Sequence, residues 1–324
     1  AYPSSLRDEL TEKFGKFPLF NFWGPNANIT SSNWIADAAM YVEEKHQPTL
    51  NLIYLPHLDY CLQKYGPKGE SVAAELKQID QLVEKLTTFF QKRNVEVILL
   101  SEYGIGPVDQ PIHINRILRK EGLIDIRIER GLELLDAGAS EAFAVSDHQI
   151  AHVYTKTQET RDKLKTLLSK VAGVAKVLDK EEQKAYKIDH ERSGDLVLLA
   201  NSNAWFTYYF WEDDAVAPDY ARMVDIHKKP GYDPVEMFMT SKSRAIGKLI
   251  LKKIGFAAVL DITPLDASLV KGSHGIVDVD PEYYPILIGD FDGLDENVEP
   301  TSIKQILLNK IFADKNSAET GVSQ

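Results

Sequence analysis

Leu50-Asn-Leu-Ile-Tyr-Leu55, running into Pro56-His57-Leu58-Asp59, is an apolar run that ends abruptly in polar residues. A second run, Val95-Glu-Val-Ile-Leu-Leu100, ends in Ser101-Glu102-Tyr103-Gly104. Short apolar runs of this kind read as strands of a parallel sheet buried on both faces. Between them, Val72, Leu76, Ile79, Val83, Leu86 and Phe90 recur at helical spacing and predict an amphipathic helix over 71–93. Strand, helix, strand is the right-handed crossover of an α/β fold. Such sheets build their sites where strands end, so the polar residues after each run are site candidates. A third polar segment, Gly272-Ser273-His274-Gly275, stands far downstream. Asp59, Glu102 and His274 are expected to converge at the carboxyl edge of one sheet.

The order and flanks of these segments resemble the alkaline phosphatase superfamily, in its type I phosphodiesterase/nucleotide pyrophosphatase branch. In that branch an Asp is followed four residues later by His and then Gly-Pro, a second strand ends Ser-Asp-His-Gly, and a late Gly-x-His-Gly completes a two-zinc site. Asp59 and Gly66-Pro67 frame the first motif, Ser101 and Gly104 the second, and His274 fills the third. Gln63, Glu102 and Tyr103 stand where the family has His, Asp and His. The likeness runs from about Phe20 to about Asp280, with Phe22-Trp23-Gly24-Pro25 similar to a substrate-side loop.

The resemblance implies an alkaline-phosphatase-like, mostly parallel sheet flanked by helices, with a small inserted α+β lobe. It also implies a small-molecule phosphate ester as substrate and zinc, or another divalent metal, as cofactor. The family's hydroxyl nucleophile and first metal-binding Asp lie farther upstream of the Asp59 position than the 58 residues present here. Thr30, Ser31 and Ser32 are the nearest hydroxyls and read as helix caps. The expectation is a metal-dependent phosphodiesterase or phosphohydrolase, incomplete or degenerate in this chain and lacking an amino-terminal part. The alternative is a non-catalytic ligand-binding or assembly protein that keeps the fold.

Composition bounds these readings. With 324 residues of which 44% are hydrophobic, a substantial core is expected, and the body of the chain is not disordered. A net charge of −11 argues against a nucleic-acid polymer or an anionic membrane as partner. The single cysteine, Cys61, points to a reducing compartment, and the cytoplasm is expected. No stretch reads as a spanning helix or a signal peptide. A first residue of Ala rather than Met suggests processing or a piece of something longer.

Along the chain, a helix is expected over 31–45, capped by Ser31 or Ser32, with Trp34, Ile35, Ala38, Tyr41 and Val42 inward. The texture changes between 142 and 200: strand 143–154, helix 160–169, strand 174–178 and strand 195–200 suggest the inserted lobe. Residues 1–141 and 201–312 are then the core, and 313–324 a polar tail. Trp205 to Trp211 has strand composition, and Lys242 to Lys253 a basic helical one with a solvated face over an apolar face.

Each candidate residue has a structural alternative. Asp59 and His274 suit metal ligation, but a strand-end cap and a backbone-bonded loop histidine use the same residue types. Gln63 is a weak ligand. Glu102 can bind a cation or pair with Arg116 or Lys64. Tyr103 titrates too high to ligate at neutral pH and suits a packed aromatic. His57 shares a strand face with Asp59, or faces the core. Ser146-Asp147-His148-Gln149 looks like the family motif displaced, but its place in the lobe favours a role for Asp147 and His148 away from Asp59. Asp225 and His227 share a face if extended, as a metal pair, and otherwise form a loop salt bridge. No nucleophile elbow, phosphate-binding glycine loop, paired-cysteine knuckle or dinucleotide fingerprint is present.

Overall fold

A computed structural model describes residues 2–291 and 293–319, with side chains through residue 312. Its largest sheet has four strands in the order Ala142–Asp147, Ile150–Thr155, Leu196–Ala200 and Val174–Leu178, all antiparallel. Leu196–Ala200 is buried at every position, which is why it carries no polar alternation. The helices Ile114–Lys120 and Gln158–Leu168 contribute Ile114, Leu118, Leu164 and Leu168 to the same core. The aromatic run completes it: Trp205 to Trp211 is wholly buried.

Only Ala204–Phe206 of that run is laddered, parallel to Gln110–Ile112. This is the one parallel ladder among the described residues. The chain is α/β, but the parallel crossover expected around Leu50 and Val95 is not formed. Helix Val72–Gln91 appears where its periodicity placed it and buries Ile79, Leu82, Leu86 and Phe90. Residues 50–55 and 95–98 stay unladdered, and only Leu99–Leu100 pairs, antiparallel to Leu287–Ile288. Ile53, Leu55, Val95 and Val97 pack on the helix core, whereas Leu50, Leu52 and Tyr54 are exposed. An apolar run signals burial on a face; a ladder also needs a neighbouring strand, and among the described residues none pairs with 50–55 or 95–98.

Three further local differences have local causes. His57–Tyr65 is a helix rather than a strand end, with Leu58, Cys61 and Leu62 at helical spacing and Gly66 (φ 74°) ending it. The expected strand over 143–154 is a hairpin, because His148 takes φ 55° and the chain reverses between Asp147 and Ile150. Helix Ile29–His46 is capped by Asn28, whose side chain accepts from Thr30 N at 2.9 Å, not by Ser31 or Ser32. Ser31 and Ser32 are buried.

Helix Lys242–Lys253 forms as read but buries only Ala245; Ile246, Leu249 and Ile250 are exposed rather than covered. A last helix, Ile303–Glu319, extends into the expected tail, whose residues 320–324 lie outside the described ones. No helix among the described residues is long and apolar enough to cross a membrane.

Candidate active site

The helix His57–Tyr65 places Asp59 and Gln63 one turn apart on one face. Gln63 Nε2 donates to Asp59 Oδ2 at 2.9 Å, and the Tyr103 hydroxyl donates to Asp59 Oδ1 at 3.1 Å. Burial raises the Asp59 carboxyl above the usual range, and these two donors oppose the rise. Burial also drives the Tyr103 phenol well up, so it remains a neutral donor.

The Tyr103 ring lies flat on His274, with centroids 3.5 Å apart and planes 8° from parallel. His274 packs in turn on His148 at 3.8 Å, and His148 on Tyr232 at 3.9 Å. The Tyr232 hydroxyl donates to Gln63 Oε1 at 3.2 Å. Asp59, Tyr103, His274, His148, Tyr232 and Gln63 therefore form a closed circuit of hydrogen bonds and stacked rings.

Both imidazoles keep a buried Nε2 without a protein partner. His148 Nδ1 lies 2.5 Å from Asp147 Oδ1, a contact in which the ring nitrogen donates to the carboxylate. That bond, more than any other influence, holds the Asp147 carboxyl below its usual range. Burial pushes His274 down to about 3, with the neighbouring His148 adding to the shift. The Gln149 amide donates to the His274 carbonyl at 2.8 Å and ties the hairpin turn to the Gly272–Gly275 segment.

The structure brings Asp59, Gln63, Tyr103, His148 and His274 together, though not at one sheet edge. Placing Asp147 and His148 away from Asp59 is corrected by the stacking of His148 on His274. The hairpin turn, invisible while 143–154 read as one strand, carries them there. Glu102 is exposed next to Tyr103, and its anticipated partners are engaged elsewhere: Arg116 donates to the Trp211 carbonyl at 2.6 Å, and Lys64 lies over Tyr65 and Phe238.

His57 is no substitute ligand. Its Nε2 contacts Glu75 Oε2 at 2.7 Å in the helix layer, off the line of a good hydrogen bond, and burial lowers its pKa. The expected Asp225 and His227 pair is not extended either: residues 226–228 turn, His227 is exposed, and Asp225 pairs with Lys228 at 3.3 Å. Tyr232 escaped the sequence reading altogether. Only its position after Lys228-Lys229-Pro-Gly marked it, and nothing there encodes a contact with His148.

A family profile described as type I phosphodiesterase / nucleotide pyrophosphatase matches residues 1–233. The chain belongs to that family. A pyrophosphatase/phosphodiesterase of Schizosaccharomyces pombe, itself uncharacterized, is 25% identical over 87 residues, covering 26% of this chain and 17% of that protein. Among solved structures, phosphonoacetate hydrolase from Sinorhizobium meliloti is 17% identical with a TM-score of 0.40, over 55% of this chain and 43% of the other. Human ectonucleotide pyrophosphatase/phosphodiesterase 5 is 12% identical with a TM-score of 0.41, over 69% and 59%. The chain spans about half the length of these solved relatives, and much less of the yeast one.

Among the described residues no group of three or more His, Cys, Asp or Glu side chains is arranged to hold a metal. The Nε2 atoms of His148 and His274, on rings packed against one another, are nonetheless buried without a protein partner, and imidazole nitrogen is a common metal donor.

Proposed function

We propose that this chain carries the metal-binding wall of a phosphoester hydrolase acting on a small-molecule phosphate ester. The observation that supports this most is the pair of buried, partnerless Nε2 atoms on His148 and His274. Leaving two such nitrogens unpaired costs about 1–3 kcal/mol each, a cost that a bound cation would remove. His148 and His274 would offer their Nε2 atoms to a divalent ion, with zinc a good match to imidazole nitrogen.

Such an ion supplies Lewis acidity to a phosphoryl oxygen and to the attacking oxygen. The residues of this chain do the positioning. Asp147 orients the His148 ring through Nδ1, and Gln63 and Tyr103 orient the Asp59 oxygens. Gln63 and Tyr103, which stand where the family has His, act here as hydrogen-bond donors.

Hydrolysis by this chain alone is not part of the proposal. The hydroxyls in the circuit are the Tyr103 and Tyr232 phenols, both driven up by burial and so poor nucleophiles. The Ser146 hydroxyl, beside Asp147, is committed to the Thr207 carbonyl at 2.9 Å. A purely ligand-binding role is the second reading, favoured because these three hydroxyls are each already hydrogen-bonded.

The test is zinc titration against a chromophoric chelator, with an aryl phosphodiester assay alongside. Wild-type protein should bind zinc, and His148→Ala and His274→Ala should each weaken binding at least tenfold. Turnover should be slight throughout. Zinc affinity unchanged by both substitutions would overturn the site assignment, and robust turnover would overturn the expectation of slight hydrolysis.

A further inference from the structure

The segment that carries Tyr232 contains deeply buried charges. Lys229 Nζ lies 2.7 Å from Asp233 Oδ2 and 2.7 Å from Glu236 Oε1, with all three side chains at most 2% exposed. Glu236 Oε2 accepts from Trp23 Nε1 at 2.6 Å, and its Oε1 also accepts from the Asp225 amide at 2.9 Å. Asp233 Oδ1 accepts from the Val235 amide at 3.2 Å. One ammonium thus faces two carboxyl groups in a dry interior, and burial raises the Asp233 carboxyl.

Burying ions costs several kcal/mol each even when they are paired, so such a cluster is weak evidence for stability. What it supplies here is definition of a loop. Tyr232 lies between Lys229 and Asp233, and it is the residue of the segment that reaches the site. Its amide donates to the Ser146 carbonyl at 2.8 Å, and Gly231 forms an isolated bridge to Ser146. Gly231 has φ 134°, and a Cβ there would lie 2.5 Å from the Ser146 oxygen. The backbone is thereby fixed to the strand that carries Asp147.

The side chain is fixed from behind. Trp23, bonded to Glu236, packs its ring 5.4 Å from that of Tyr232. The opposite face of the circuit receives the result: Tyr232 stacks on His148 and donates to Gln63. Asp147 fixes one end of the His148 ring, and Tyr232 fixes its plane.

We propose that the buried Lys229–Asp233–Glu236 cluster is a positioning device for the site, holding Tyr232 so that it sets the ring plane of His148 and the amide of Gln63. This rests on the assignment of His148 to the site under the proposed function. Tyr232 is a positioning residue in this scheme, acting through its neighbours, and the cluster acts one step further back.

The experiment is NMR of the full chain, metal-free in chelator, with histidine and glutamine side chains labelled. The His148 ring protons should be shifted upfield by the rings on either side, and Tyr232→Ala defines the position without one of them. Lys229→Met, which keeps the length and removes the charge, should move the His148 signals at least half way to that position, although Tyr232 is still present. Lys229→Arg should restore them in part. Tyr232→Phe should shift the Gln63 amide and leave most of the His148 displacement intact.

A merely structural role would lower the melting temperature of Lys229→Met without moving these signals, and that result overturns the proposal. If Lys229→Met does not fold, Glu236→Gln decides by the same readout, since it keeps an acceptor for Trp23 and removes one charge. The measurement needs no metal and no turnover, so the zinc titration and the NMR series fail separately: the first tests the site assignment, the second the positioning of His148 by Tyr232 and the cluster.

Discussion

Acidification from pH 7 to pH 5 should remove about 2 kcal/mol of stability through His113 alone. Its Nδ1 lies 2.7 Å from Thr207 Oγ1, its ring stacks on Tyr209, and burial, reinforced by Arg116, pushes its pKa down to about 4. Because the folded value lies below the unfolded one of about 6.5, protonation favours the unfolded chain. The contribution is therefore complete above about pH 6.5, is lost as pH falls from there, and stops growing below the folded value of about 4. At pH 5 the unfolded imidazole is almost fully protonated and the folded one almost not, which gives RT ln(1 + 10^1.5), or about 2 kcal/mol.

His113→Asn keeps a side chain able to meet Thr207 and removes the titration. Urea denaturation of both proteins at pH 7 and pH 5, followed by circular dichroism, isolates the difference. At a denaturant slope of about 3 kcal/mol per molar, the wild-type midpoint should fall about 0.6 M further than that of the variant. Equal falls would show that His113 is not held neutral, and would refute the argument from burial.

Two other outcomes follow from the packing. Gly231→Ala should cost about 2–4 kcal/mol, because φ 134° and an oxygen 2.5 Å from the new Cβ both oppose it, and thermal unfolding should show a melting temperature several degrees lower; an unchanged one would mean the loop is not fixed to Ser146. Leu52→Lys should change stability by no more than about 0.5 kcal/mol, since Leu52 is 80% exposed, and a larger loss in urea denaturation would show that this face is covered in solution.

Local periodicity was a reliable guide where one element answers to one pattern. The helix Val72–Gln91 and the strand Val174–Leu178 stand where spacing and residue type put them, because their buried faces are set by their own sequences. It misled where two neighbours compete for one run. Leu50 to Leu55 has strand composition, yet strand pairing depends on what lies alongside, and that is a property of the whole fold. The hairpin at His148 was hidden for a different reason, since a non-glycine residue at positive φ leaves little mark in composition.

The candidate site divides in the same way. Asp59, Gln63 and His274 were legible because the order and spacing of their motifs are carried by the sequence itself. The stacking of His274 on both Tyr103 and His148 was not. Sequence by itself determined the family, the helices Val72–Gln91 and Lys242–Lys253 and the chemical types at the site. Tertiary structure alone decided that Tyr232 closes the circuit, that His57 pairs with Glu75, and that three buried charges stand behind the site. Stacking and ion pairing act through space at a few ångströms, between residues as far apart in the chain as Gln63 and Tyr232, and no local pattern records which of them meet.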